Sequence, residues 1–113
     1  MKQELNSRYL IMNLLIQLKK RIQNKEAQVA VIGLGYVGLP VACMLAHAGF
    51  QVTGVDLKGD RVERINRGEN PIEGKEPGLA DLLKKVISSK NLQATTQYNA
   101  LRAAEIILID VET

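Results

Sequence analysis

The chain has 113 residues, room for one small domain, and its 46% apolar and 24% charged residues are those of a soluble globular protein. No apolar run reaches the roughly 18 residues of a membrane span, and the N-terminus lacks the basic head, apolar run and small-residue cleavage site of a signal peptide. The net charge of +3 is uneven: residues 1–27 carry +4 and the remainder −1, so the body of the chain does not read as a nucleic-acid platform.

Residues 3–24 read as an amphipathic helix. Ile11, Leu14, Leu15, Leu18 and Ile22 form one apolar stripe, widened by Leu10, Met12 and Ile16. Such a stripe needs cover, from this domain or from a partner subunit. A membrane-surface helix is the weaker reading, because Lys19, Lys20 and Arg21 gather at one end rather than along one face. That basic cluster reads as a solvated helix end, favoured by the negative end of the dipole. Asn24 to Ala27 reads as the break, which divides the chain into a helix with linker (1–27) and a globular part (28–113).

Gln28 to Ile32 reads as a strand, and it runs into Gly33-Leu34-Gly35-Tyr36-Val37-Gly38. A helix is expected from Tyr36 to Ala48, with Pro40 near its first turn and Gly49 closing it. A strand, a glycine turn and a helix in that order form the fingerprint of a dinucleotide-binding βαβ unit. Gly33 permits the tight turn, Gly35 lets a pyrophosphate approach the backbone, and Gly38 lets the helix lie close on the strand. The free N–H groups of the first helical turn then face the phosphates. Within the helix, Cys43 reads as a small core residue and His47 as an exposed one without chemistry. A single cysteine forms no internal disulfide, which suits a cytoplasmic, reducing location.

The next strand, Gln51 to Asp56, ends on an acid 23 residues past Gly33. That spacing is right for the group that binds the adenosine ribose, with both hydroxyls donating to the carboxylate. A carboxylate there repels a 2′-phosphate, so the expected cofactor is NAD rather than NADP. Asp60 is placed to cap a short helix through Arg67, with Gly68 past its end. Glu69 to Gly78, with two prolines and three acids, reads as a loop, either a functional one beside the nucleotide site or a plain surface connection. Leu79 to Ser89 reads as a helix, Leu92 to Thr95 as a strand and Tyr98 to Ala104 as a short helix. Ile106 to Ile109 reads as a buried parallel strand bounded by Glu105 and Asp110.

The fold class is therefore α/β. Right-handed crossovers give a Rossmann-type parallel sheet, partial, in the order 3-2-1-4. That is one mononucleotide-binding half plus the first strand of the other. A strand ending at the ligand edge implies the N-terminal part of a longer enzyme, with the 113 residues alone inactive.

The run Gly33-Leu34-Gly35-Tyr36-Val37-Gly38-Leu39-Pro40, then Gly54-Val55-Asp56, Asn66 to Ile72, Glu76-Pro77-Gly78-Leu79 and Val111-Glu112-Thr113 resembles the N-terminal NAD-binding domain of the UDP-glucose/GDP-mannose dehydrogenase family. The resemblance is strongest to the branch acting on UDP-N-acetylmannosamine or UDP-N-acetylglucosamine. It implies that Tyr36 and Val37 meet the pyrophosphate through their backbone, Asp56 and Arg61 serve the adenosine ribose, and Thr113 touches the cofactor. Glu112 stands where the family has a proline, and Asp110 where it has a small or apolar residue. The resemblance further implies oxidation of the C6 alcohol of a UDP-sugar to a carboxylate in two NAD-dependent steps, by a homodimer. The family's nucleophilic cysteine comes later in its chain, so Cys43 is not that residue and these 113 residues hold no catalytic group. Two other readings share the glycine turn and the acid: a β-hydroxyacid type dehydrogenase, and a non-catalytic NAD-sensing domain.

Overall fold

The computed structural model describes residues 2–72 and 77–110, with side chains from Ser7 onward. Helix α1 (Lys2–Gln23) leads to strand β1 (Gln28–Ile32), helix α2 (Gly38–His47), strand β2 (Gln51–Val55) and helices α3 (Gly59–Asn66) and α4 (Leu79–Ser88). Strand β3 (Leu92–Thr95), a 3₁₀ helix (Tyr98–Ala103) and strand β4 (Ile106–Ile109) follow. The four strands form one parallel sheet in the order β3-β2-β1-β4, as the crossover rule requires. Gln28 pairs with Gln51 and Ile32 with Val55, so β1 and β2 end level with each other, beside the glycine turn.

β1 sits between two strands, and Val29, Ala30 and Val31 are buried in succession. The core joins Val29, Val31 and Val52 of the sheet to Leu39, Ala42 and Cys43 of α2 and to Leu79, Leu83 and Val86 of α4. Cys43 is fully buried, and burial pushes its thiol pKa up to about 11. It is a core residue, as its apolar helical context indicates.

The structure corrects or narrows several sequence expectations. β4 is parallel but not buried: Ile107, Leu108 and Ile109 are exposed, Ile109 at 68%. It is the edge strand, paired on one side by β1, and no other described element covers it. Of the two covers expected for the apolar face of α1, this domain or a partner subunit, this domain supplies none among the described residues. Tyr9, Leu10, Ile11, Met12, Leu14, Leu15, Ile16 and Ile22 stand exposed, and the molecule is 57 Å long. Arg21, read as part of a solvated helix end, instead clamps that end to the sheet. Its Nε and Nη2 donate to the two carboxylate oxygens of Glu105 at 2.6 Å each, and its Nη2 also donates to the carbonyl of Glu26. These bonds hold the Glu105 carboxyl below its ordinary range.

The helix ends divide in the same way. Gly49 and Gly68 adopt positive φ and close α2 and α3 as expected, with Phe50 N–H donating to Leu45 and Glu69 N–H to Arg64. The N-termini differ. α2 starts at Gly38, not Tyr36, because Tyr36 and Val37 form the turn that precedes it. α3 is not capped by Asp60, which falls within its first turn; its N-cap is Lys58. Asp56 does the local work instead, accepting the Lys58 N–H at 2.9 Å and so bending the chain into α3.

Asn66, at the end of α3, protects the other sheet edge. Its Nδ2 donates to the carbonyl of Ala94 at 2.8 Å, and its Oδ1 accepts the Ala94 N–H at 2.9 Å. The amide acts as one more rung beside β3, on the side that no strand of the described residues covers. Asn66→Ala is expected to lower stability by about 1–2 kcal/mol, since two backbone groups lose their partners. An unchanged urea midpoint would show that water replaces the amide without loss.

Candidate functional site

A cleft of about 320 Å³ opens at the carboxyl ends of β1, β2 and β4. This volume falls in the range of ligand pockets, and the place is where open α/β sheets bind ligands. Its walls include Ile32, Gly33, Leu34 and Gly35 from the first turn and Val55 to Lys58 from the second. Arg61, Tyr98 and Asp110 complete them.

The glycine turn is tight for steric reasons. Gly33 has φ +91°, and a Cβ on it would lie 1.7 Å from the carbonyl oxygen of Asp110. A Cβ on Gly38 would lie 1.7 Å from the carbonyl oxygen of Gly33. Gly33 thus lets the end of β4 approach the turn, and Gly38 seats α2 on the turn. Between them Leu34 is fully buried, and its side chain fills the space left by Gly54, where a Cβ would meet it at 2.7 Å. Gly35 lines the cleft. Tyr36 and Val37 point outward, 64% and 59% exposed, so any role at the cleft falls to their backbone. Thr113 lies outside the described residues.

Asp56 is the buried charged residue of the described part, 8% exposed. Oδ2 accepts the Leu34 N–H at 2.8 Å and Arg61 Nη1 at 3.3 Å, while Oδ1 accepts the Lys58 N–H. One carboxylate therefore ties the glycine turn to the start of α3. Burial opposes its charge, but the Lys58 and Leu34 N–H groups and the Arg61 guanidinium outweigh burial and hold the carboxyl below its usual range. It is an anion, and an acceptor only. Three donors already occupy part of its accepting capacity. Arg61 lines the same cleft.

Sequence reasoning did not place Lys58 or Tyr98 at the cleft. Both follow strand ends on the ligand side, and that position was the available signal. Asp110 stood out only as an unusual acid at a strand end. The structure puts it in the cleft wall.

Residues 27–113 match the UDP-glucose/GDP-mannose dehydrogenase family, NAD binding domain. The chain belongs to this family. A UDP-N-acetyl-D-mannosamine dehydrogenase of Methanococcus vannielii is 49% identical over 80 residues, 71% of this chain and 18% of that protein. A GDP-mannose 6-dehydrogenase of Pseudomonas syringae pv. syringae is 41% identical over 87 residues, 76% of this chain and 19% of that protein. The solved UDP-D-ManNAc dehydrogenase of Pyrococcus horikoshii superposes with a TM-score of 0.71 at 36% identity, covering 76% of this chain and 20% of that one. The chain thus spans about a fifth of the length of the relatives it matches. Among the described residues no helix is long and apolar enough to cross a membrane.

The residues present fit the family's cofactor. Gly33 and Gly38 let the end of β4 and the start of α2 close on the turn, and a buried carboxylate at the end of β2 is bonded to that turn. When bound, NAD would supply a hydride acceptor, and the chain's own residues would supply its seat.

Proposed function

We propose that this chain is the NAD-binding part of a nucleotide-sugar 6-dehydrogenase, which oxidises the C6 alcohol of a UDP-sugar to the uronate in two NAD-dependent steps. The UDP-sugar most favoured is UDP-N-acetylmannosamine, because three relatives with that activity in their names are 48–54% identical where the GDP-mannose relatives are 39–41% identical. The observation that carries the cofactor reading is Asp56, an anion in the cleft wall bonded to the glycine turn. In this reading residues 28–113 form the NAD-binding domain. The backbone of Gly33, Gly35, Tyr36, Val37 and Gly38 holds the pyrophosphate. Asp56 and Arg61 hold the adenosine ribose, and Thr113 adjoins the cofactor. The catalytic groups lie in other parts of the enzyme, so the 113 residues bind without turnover. The reading includes a cytoplasmic homodimer with no nucleic-acid or membrane partner. The exposed apolar face of α1 supports a protein partner for that helix, since a surface of this kind marks an interaction site.

Calorimetric titration of the chain tests the cofactor. NAD should bind, and NADP several-fold more weakly, because its 2′-phosphate meets the Asp56 carboxylate. Equal affinity would defeat the ribose assignment. For the whole enzyme, NADH should form with UDP-N-acetylmannosamine and not with GDP-mannose, and the reverse preference would defeat the substrate assignment.

A further inference from the structure

We infer that Asp110 limits how tightly the cleft holds a phosphate-bearing nucleotide, by setting a fixed negative charge at the N-terminus of α2. The inference rests on the NAD reading above and adds a determinant of affinity to it.

The position of Asp110 is fixed by its backbone. Its N–H donates to the carbonyl of Ile32 at 2.8 Å, continuing the β1–β4 ladder by one step. Its carbonyl lies against Gly33, in the space a side chain there would need. The carboxylate then turns toward α2: Oδ2 lies 3.5 Å from the point that a Cβ on Gly38 would occupy. Gly38 is the first residue of α2, so the charge stands beside the positive end of the helix dipole.

That helix end has no other anion of its own. Val37, its N-cap, makes no side-chain capping bond, and the first turn contains no acid. A helix N-terminus that is uncapped and beside a glycine turn is where a pyrophosphate binds. Asp110 brings a carboxylate to that place from a different strand. In the cleft wall the cations are Lys58 and Arg61, and Arg61 is paired with Asp56. Asp110 makes no ion pair among the described residues to offset its charge. Like charges brought close together repel. A phosphate entering the cleft therefore meets the attraction of the helix end reduced by Asp110. The consequence is weaker binding and faster exchange of the cofactor than the same glycine turn would otherwise give.

The test is titration of NAD, ADP and adenosine into the chain, its Asp110→Asn variant and its Asp110→Ala variant. NAD and ADP should bind about tenfold more tightly to both variants, and adenosine, which has no phosphate, with unchanged affinity. Added salt should narrow the gap, since a charge at the edge of an open cleft is screened. Unchanged or weaker NAD binding by both variants would overturn the role of Asp110 while leaving the NAD reading intact. An equal gain for adenosine would also overturn it, because the effect would then not be electrostatic. Failure of all three proteins to bind NAD or adenosine would overturn the NAD reading, and the role of Asp110 with it.

Discussion

Gly33→Ala is expected to damage this chain severely, although it adds a single methyl. Two independent effects combine. At φ +91° an L-residue is strained whatever space surrounds it, by about 1–2 kcal/mol. The added Cβ would also lie 1.7 Å from the Asp110 carbonyl oxygen, which is backbone and has no rotamer to change. The collision is relieved only by parting the ends of β1 and β4 or by rebuilding the turn. The first breaks the Asp110 to Ile32 hydrogen bond, and the second moves Leu34 from its buried site. The total loss is expected to exceed about 3 kcal/mol, a large part of the roughly 5–15 kcal/mol that a domain has. NAD binding should be lost with it. Gly59→Ala is the control: no atom lies within 4 Å of the new Cβ, and its φ is not in the left-handed range. It should stay within about 0.5 kcal/mol of the parent. Urea midpoints of the two variants decide the matter, and similar midpoints would mean that the turn absorbs the clash.

The contrast between these two glycines shows what a sequence reveals and what it withholds. The turn from Gly33 to Gly38 was legible because its chemistry is local: strand, turn and helix are neighbours in the chain. The sheet order was legible because chirality leaves few ways to connect parallel strands. Asp56 was legible by spacing, but its bonds to Leu34 and Arg61 were not, because a carboxylate that fits a ribose hydroxyl fits a backbone N–H equally well. The partner of Arg21 lies 84 residues away in Glu105, and no periodicity carries that information. The burial of β4 was misjudged because an unbroken apolar run fits a strand covered on both faces. Whether cover exists depends on other segments of the chain, and none of the described ones supplies it. The surroundings of Asp110 follow the same pattern: a residue at a strand end has its meaning fixed by which strand lies beside it.

Asp56→Ala should both destabilise the chain and weaken NAD binding, and the two effects are separable. Removing the carboxylate leaves the Leu34 and Lys58 N–H groups without their acceptor and Arg61 without its anion. A buried donor without a partner costs about 1–3 kcal/mol, and a cation left uncompensated adds to it. A loss of about 3 kcal/mol is expected. NAD affinity, measured on the fraction that remains folded, should fall at least tenfold because the ribose loses its acceptor. The stability effect has a pH signature. The carboxyl is held below its usual range in the folded chain, so its stabilisation is complete above the unfolded value of about 3.9 and is lost as pH falls through the lower folded value. The difference in urea midpoint between the parent and Asp56→Asn, which cannot ionise, should therefore be constant near neutral pH and shrink in acid. A difference that persists undiminished well below pH 3.9 would mean that shape and packing, rather than the charge of Asp56, join the glycine turn to α3.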